Sequence, residues 1–486
     1  MADRSYTLLL ILFFLSLFLH STFSRSLTHT TNLLDVAAST QRTLDLLSYN
    51  SQSSHNLEEM KPVVTSSSLS FSLHPRSSVH KPLHGDYAQL TKSRLDRDSS
   101  RVKSLYNKIE LILAGVNRSE LKPAVSSELL RPEALETPIT SGVIQGSGEY
   151  FSRVGFGQPA RDYYMVIDTG SDISWLQCKP CYDCYQQTDP VFDPTASSSY
   201  RSISCGSTQC SALQVSGCRA GVCQYQVSYG DGSYTVGDFA TETMMFGNSG
   251  TVPNVAIGCG HNNEGLFIGA AGLLGLGGGS LSLPSQLRAN SFSYCLVDRD
   301  SRDASTLEFN SSPPGDSVFA PLLQNSRVHT YMYVGLTGIS VGGHMVDISP
   351  SVFAVDESGS GGIIVDCGTA VTRLQTQAYN MVRDSFRSLT QNLPSSAGFV
   401  IFDTCYDLSS MTTVSVPTVA FHFGNGRTLP LRAANYLIPV DSGGKYCLAF
   451  APTDSSPSII GNIQQQGTRV SYDLANSVVG FSSNKC

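Results

Sequence analysis

From about residue 146 to the C-terminus, apolar residues come in short runs broken by glycine and serine, with little helical periodicity. Residues 149–156 and 331–340 are typical: rich in aromatic and β-branched side chains and closed by glycine, they read as strands. Residues 376–389 form the clearest helical stretch in this region. Upstream, residues 87–113 also carry apolar side chains at helical spacing, interleaved with Lys92, Arg94, Arg97, Arg101 and Lys103, and predict a basic helix. A third pattern lies at the start. After Arg4, residues 7–19 contain only Leu, Ile, Phe, Thr and Ser, a run too short to span a bilayer comfortably. Thr22-Phe23-Ser24 follows, with small residues at 22 and 24, so residues 1–24 read as a signal peptide. No other run is long enough to span, and residues 481–486 lack the apolar tail of a glycolipid anchor; no membrane anchor is expected.

Within the strand-rich region one pattern occurs twice. Met165-Val166-Ile167-Asp168-Thr169-Gly170-Ser171 is matched 198 positions later by Ile363-Ile364-Val365-Asp366-Cys367-Gly368-Thr369, and both copies continue to a Leu-Gln pair. Each reads as a buried strand ending in an acid, a glycine turn, and a hydroxyl just beyond. A lone Asp-Thr-Gly is an ordinary turn signal. The duplication is supported by a second feature repeating in step: Leu273-Leu274-Gly275 follows the first acid by 107 positions, and Ile459-Ile460-Gly461 follows the second by 95. The spacing predicts one unit used twice, giving two lobes and two carboxylates facing one cleft.

By these residues the chain resembles the pepsin family of aspartic proteases over residues 146–486. Its cysteine-rich insert resembles the nepenthesin-like plant branch, and the Asp-Cys-Gly-Thr variant and leader look closest to the guard-cell type within it. The resemblance implies a mainly β, bilobal fold, with an N-terminal lobe over 146–325, an insert at 178–223 and a C-terminal lobe over 326–486. It also implies a signal–prosegment–protease layout, with residues 25–135 as an inhibitory prosegment. Asp168 and Asp366 would be the catalytic pair, supported by Gly170, Ser171, Gly368 and Thr369. If the two acids meet, repulsion and desolvation keep both from ionising easily, and they share one proton. Tyr229-Gly230-Asp231-Gly232-Ser233 reads locally as a hairpin tip; in the family such a hairpin closes over substrate, making Tyr229 the flap tyrosine and Trp175 its support. Cys367 departs from the family's threonine or serine, and a thiol bonds more weakly than a hydroxyl, so a softer lock between the two acid loops is expected.

Charge and cysteine usage sharpen this picture. Residues 25–135 hold 14 Lys+Arg and 11 Asp+Glu, net +3, whereas residues 136–486 hold 17 and 27, net −10. A basic leader on an acidic body suggests an intramolecular partner held by charge, and argues against nucleic acid binding. All 13 cysteines lie at or after Cys178, in what reads as a secreted chain, so disulfides are expected. The odd count leaves one free, and Cys367, inside an acid loop, is the candidate. A bridge between Cys405 and Cys447 is plausible. Sequons stand at Asn117 and Asn310. The histidines after residue 136 (261, 329, 344 and 422) show no metal-ligand spacing, and neither a metal nor another cofactor is expected. The expected protein is a monomeric acid endopeptidase of the secretory pathway (extracellular or wall-bound, or in the endoplasmic reticulum or vacuole), acting on polypeptide substrates. The competing expectation is a non-catalytic binding or inhibitor protein on the same fold.

Overall fold

The computed structural model describes residues 30–48, 68–79, 85–114, 150–229, 233–265, 267 and 269–486. The signal peptide, Asn117 and the hairpin residues 230–232 lie outside them.

The fold is mainly β. In the N-terminal half, Tyr150–Phe156 pairs antiparallel with Arg161–Asp168, and the long strands Tyr234–Met245 and Thr251–Glu264 form an antiparallel pair. Alternate residues such as Phe239, Val255 and Ile257 are turned into the core. In the C-terminal half, Leu336–Val341 pairs with Val419–Phe423, and Cys405–Asp407 with Lys445–Leu448. The helix Thr376–Ser388 follows the second acid loop as its periodicity predicts, burying Ala378, Tyr379, Val382 and Phe386 on one face.

The repeat seen in sequence is a repeat in space. Gly272–Gly275 lies parallel to the first acid strand, with Gly275 opposite Asp168, while Trp175–Gln177 returns antiparallel to it. Ser458–Ile460 lies parallel to Ile363–Val365, with Ile460 opposite Val365, and Thr372–Gln375 touches it antiparallel through Arg373. Glycine is needed where these segments meet the acid loops. A Cβ on Gly275 would stand 2.4 Å from the Asp172 carbonyl carbon, and one on Gly461 would stand 2.5 Å from the Ala370 carbonyl oxygen.

A sheet drawn from both halves joins them. Ser291–Cys295 pairs on one side with Ser305–Phe309 and on the other with Thr468–Asp473, which continues to Val478–Ser483 and Val318–Leu323. The leader enters this sheet. Leu69–Pro75 sits between Ser305–Phe309 and Tyr150–Phe156, burying Phe71 and Leu73. A second leader strand, Thr31–Asp35, pairs with Thr413–Pro417 on the C-terminal half; Asp35 then caps the helix Val36–Leu47 by accepting from the Ala38 amide.

Six disulfides form: Cys178–Cys259, Cys181–Cys184, Cys205–Cys218, Cys210–Cys223, Cys295–Cys486 and Cys405–Cys447. Three staple the insert internally, and Cys178 ties it to the strand Thr251–Glu264. Cys367 is free and buried. Among the described residues, no helix is long and apolar enough to cross a membrane.

Candidate active site

The two acid loops meet each other, and Asp168 and Asp366 are both almost fully buried. Each carboxylate is held by its own loop in the same way. Asp168 accepts from the Gly170 amide at 2.8 Å through Oδ1 and from the Ser171 hydroxyl at 2.5 Å through Oδ2. Asp366 accepts from the Gly368 amide at 3.2 Å through Oδ1 and from the Thr369 hydroxyl at 2.6 Å through Oδ2. The matched residues of the sequence repeat thus make matched bonds, and charge-assisted bonds of this kind fix carboxylate geometry.

The loops also grip each other, unequally. Thr169 Oγ1 accepts from the Cys367 amide at 3.0 Å and lies 3.1 Å from Asp366 Oδ1. From the other side, the Cys367 thiol reaches the Ile167 carbonyl at 3.8 Å. Where a hydroxyl would donate a full hydrogen bond, the thiol makes a weak contact. Burial first, and then the neighbouring Asp366 and Asp168, push the Cys367 thiol well above its ordinary range.

One guanidinium occupies the space between the acids. Arg101, on the leader helix Tyr87–Leu113, donates through Nη1 to Asp168 Oδ2 at 3.0 Å. Its Nη2 donates to Asp168 Oδ1 at 2.5 Å and to Asp366 Oδ2 at 3.0 Å. The loop glycines leave it room: a Cβ on Gly170 or Gly368 would lie 2.7 or 2.4 Å from Arg101 Nη2. Burial disfavours the charge on Arg101, but the attraction of Asp168 and Asp366 outweighs it and keeps the guanidinium firmly protonated. Burial likewise pushes Asp366 up, while Arg101 and the bonds from Thr369 and Gly368 pull it further down, to below its ordinary value.

The same helix is anchored at three further points. Near its start, Asp300 accepts from Arg94 at 2.8 Å and from the Tyr87 hydroxyl. In its middle, Asp98 pairs with Arg373 at 2.7 Å. Beyond Arg101, Val102, Leu105, Tyr106 and Ile109 pack on Tyr331, Tyr333 and Ile459, and the Tyr106 hydroxyl donates to the Pro457 carbonyl at 3.0 Å.

The Trp175 indole donates to the Tyr229 hydroxyl at 3.1 Å, and both rings pack edge-on to Phe267, at 5.0 and 5.1 Å between centroids. Tyr229 ends a hairpin whose strands Val222–Ser228 and Tyr234–Met245 pair up to Ser228 and Tyr234, and its amide donates to the Ser233 carbonyl at 2.8 Å. Of the residues singled out in the sequence, Asp168, Gly170, Ser171, Asp366, Gly368 and Thr369 are brought together in the two acid loops, while Trp175 and Tyr229 contact each other. Asp98, Asp300 and Arg373 were not singled out. The first was legible: Arg94, Asp98 and Arg101 recur at helical spacing among apolar residues, which puts them on one face.

Family profiles described as the N-terminal and C-terminal parts of a xylanase inhibitor match residues 150–310 and 331–483. "Aspartyl protease family protein 2" of Arabidopsis thaliana is 52% identical over 406 residues, covering 82% of this chain and 81% of that protein. From the same plant, "Protein ASPARTIC PROTEASE IN GUARD CELL 2" is 48% identical over 400 residues, covering 81% and 83%. "Aspartic proteinase nepenthesin-1" of Nepenthes gracilis is 41% identical over 374 residues, covering 74% and 84%. The crystal structure of edgp shares the fold, with a TM-score of 0.58 at 22% identity over 69% of this chain and 91% of that one.

Proposed function

Because the chain belongs to the plant aspartyl protease family, we propose that it is the precursor of an acid endopeptidase in which Asp168 and Asp366 activate one water, and in which Arg101 occupies the place of that water until the leader is removed. The observation that carries this reading is the single guanidinium bridging both carboxylates. A group small enough to touch both acids at once marks where a water would be held by both.

With Arg101 gone, the two buried acids lose their countercharge and share one proton. The ionised carboxylate takes a proton from the water as its oxygen bonds to the peptide carbonyl carbon, while the protonated one donates to the carbonyl oxygen. Proton transfer to the peptide nitrogen then lets the carbon–nitrogen bond break, returning the pair to its starting state. The bonds from Ser171 and Thr369 fix the orientation of the two carboxylates about the water. Tyr229, braced by Trp175, closes over the extended substrate.

In this reading residues 1–24 direct the chain into the secretory pathway, in keeping with its six disulfides. Residues 25–135 form the inhibitory segment, and the mature enzyme works as a monomer outside the cell or in an acidic compartment. The test is cleavage of a denatured protein from pH 2.5 to 7 by the processed chain and by its Asp168→Asn variant. Acid-dependent cleavage by the former and none by the folded variant is the expected result. A folded, processed chain that cleaves nothing at any pH points instead to a binding protein on the same fold.

A further inference from the structure

Three residues before Arg101, the leader helix makes a second charged contact in the cleft. The Asp98 carboxylate accepts from the Ala370 amide at 2.5 Å, from the Val371 amide at 3.4 Å and from Arg373 Nη2 at 2.7 Å. All three donors stand immediately after the loop that carries Asp366. Asp98 and Arg373 are both buried while the helix is in place. The other terminal nitrogen of Arg373, Nη1, is buried with no hydrogen-bond partner among the described residues, and Asp98 is the one acid paired with this guanidinium there.

An ion pair that served only to hold the lobe together would keep both partners within the lobe. Here the anion belongs to the leader, while the cation and the two amides belong to the body. Loss of the leader leaves a five-donor guanidinium and two backbone amides facing the cleft with nothing to accept from them. A planar guanidinium fits a carboxylate geometrically, and leaving it unpaired costs free energy.

We propose that Arg373, with the amides of Ala370 and Val371, forms a substrate subsite for a carboxylate side chain, so that the processed enzyme selects polypeptides with Asp or Glu close to the scissile bond. This rests on the endopeptidase reading and specifies its substrate class. The helix sets the range. Three residues rise about 4.5 Å along a helix axis, equivalent to one or two residues of an extended strand at about 3.3 Å each. The acid therefore sits within about three residues of the bond cut. Leu95, one turn before Asp98 and Ser99, packs on Ala370, Val371 and Phe402, so an apolar side chain is accommodated beside the acidic one.

The test uses protein shown to have lost residues 30–114. Peptides identical except for Glu or Gln at each position in turn are compared as substrates at pH 5. At one position the Glu form is expected to be cleaved about tenfold more efficiently, the effect of one charge-assisted bond pair. In Arg373→Gln that ratio falls to about one, and in Arg373→Glu a Lys peptide replaces Glu as the preferred form. An unchanged ratio in Arg373→Gln, or no Glu preference at any position, overturns the subsite. The same Glu and Gln peptides are titrated onto processed Asp168→Asn protein, whose binding needs no chemistry and no change at Arg373. Tighter binding of the Glu form upholds the subsite even if no peptide is cleaved, in which case only the endopeptidase reading falls; equal binding overturns the subsite.

Discussion

Arg101 Nη2 stands 2.5 Å from Asp168 Oδ1 and 3.0 Å from Asp366 Oδ2, so one side chain of the leader bridges both acids of the cleft. Removing one partner of a buried ion pair typically costs about 3–5 kcal/mol, because the other is left uncompensated. Arg101→Met should therefore loosen the leader helix at neutral pH. Limited proteolysis at pH 7 is expected to cut residues 87–113 in this variant while the wild-type helix stays protected. Equal protection in both would remove Arg101 from the latch.

The pH at which the leader releases follows from the direction in which each carboxylate is shifted. Asp366 and Asp300 are buried, which pushes them up. Arg101 acting on Asp366, and Arg94, Arg299 and Tyr87 acting on Asp300, pull them below their ordinary values. A group depressed in the docked state contributes stability above its free pKa of about 4 and loses it as pH falls through the depressed value. Asp98 has the opposite sign: the desolvation imposed by the docked helix, which the open cleft of the processed enzyme does not impose on a substrate acid, raises it more than Arg373 and the two amides lower it, so its contribution is fully present in acid and fades as pH rises. Acid release should therefore survive Asp98→Asn. Asp300→Asn, which removes a depressed carboxylate and the Arg94 pair, should move the midpoint of release to higher pH. Hydrogen exchange of the helix amides between pH 3 and 7 measures both midpoints.

Cys367 fills a position where a donor is needed, its sulfur 3.8 Å from the Ile167 carbonyl. In Cys367→Ser the hydroxyl is expected to gain that hydrogen bond and stabilise the protein by about 0.5–1.5 kcal/mol. Thermal unfolding reads the change, and a lower midpoint in the variant would contradict it. The native thiol, buried and raised in pKa by burial and by the two acids, is expected to resist iodoacetamide until the protein unfolds.

The Trp175 indole donates to the Tyr229 hydroxyl, and Tyr229 is the residue proposed to close over substrate. Loss of one such bond is worth about 0.5–1.5 kcal/mol. Tyr229→Phe in the processed enzyme should therefore lower kcat/KM up to about tenfold with little change in unfolding temperature. A fall in stability without a fall in kcat/KM would make the contact purely structural.

The acid loops were legible because their chemistry needs a fixed order of residues, an acid, a glycine and a hydroxyl, and because the apolar-apolar-Gly segments recur in step beside them. The bounds of the leader helix were legible from its period. The leader strand Leu69–Pro75 was not read, although Leu69, Phe71 and Leu73 alternate with serines; the serine-rich surroundings masked a period of two over so short a run. The pairing of Cys178 with Cys259 could not be read at all, since spacing carries no connectivity. Arg373 was missed for a different reason. Its partner lies 275 positions away, and nothing local marks an arginine whose role depends on a segment docked from elsewhere in the chain.

The most direct measurement is hydrolysis of a quenched peptide at pH 5 by the same preparation before and after loss of the leader, with and without pepstatin. The intact chain is expected to cleave at least about a hundredfold more slowly than the processed one, as a latch worth ~3 kcal/mol requires, and pepstatin should stop the processed enzyme. An intact chain with residues 87–113 still protected that cleaves as fast as the processed form would contradict the claim that Arg101 holds the Asp168–Asp366 pair shut.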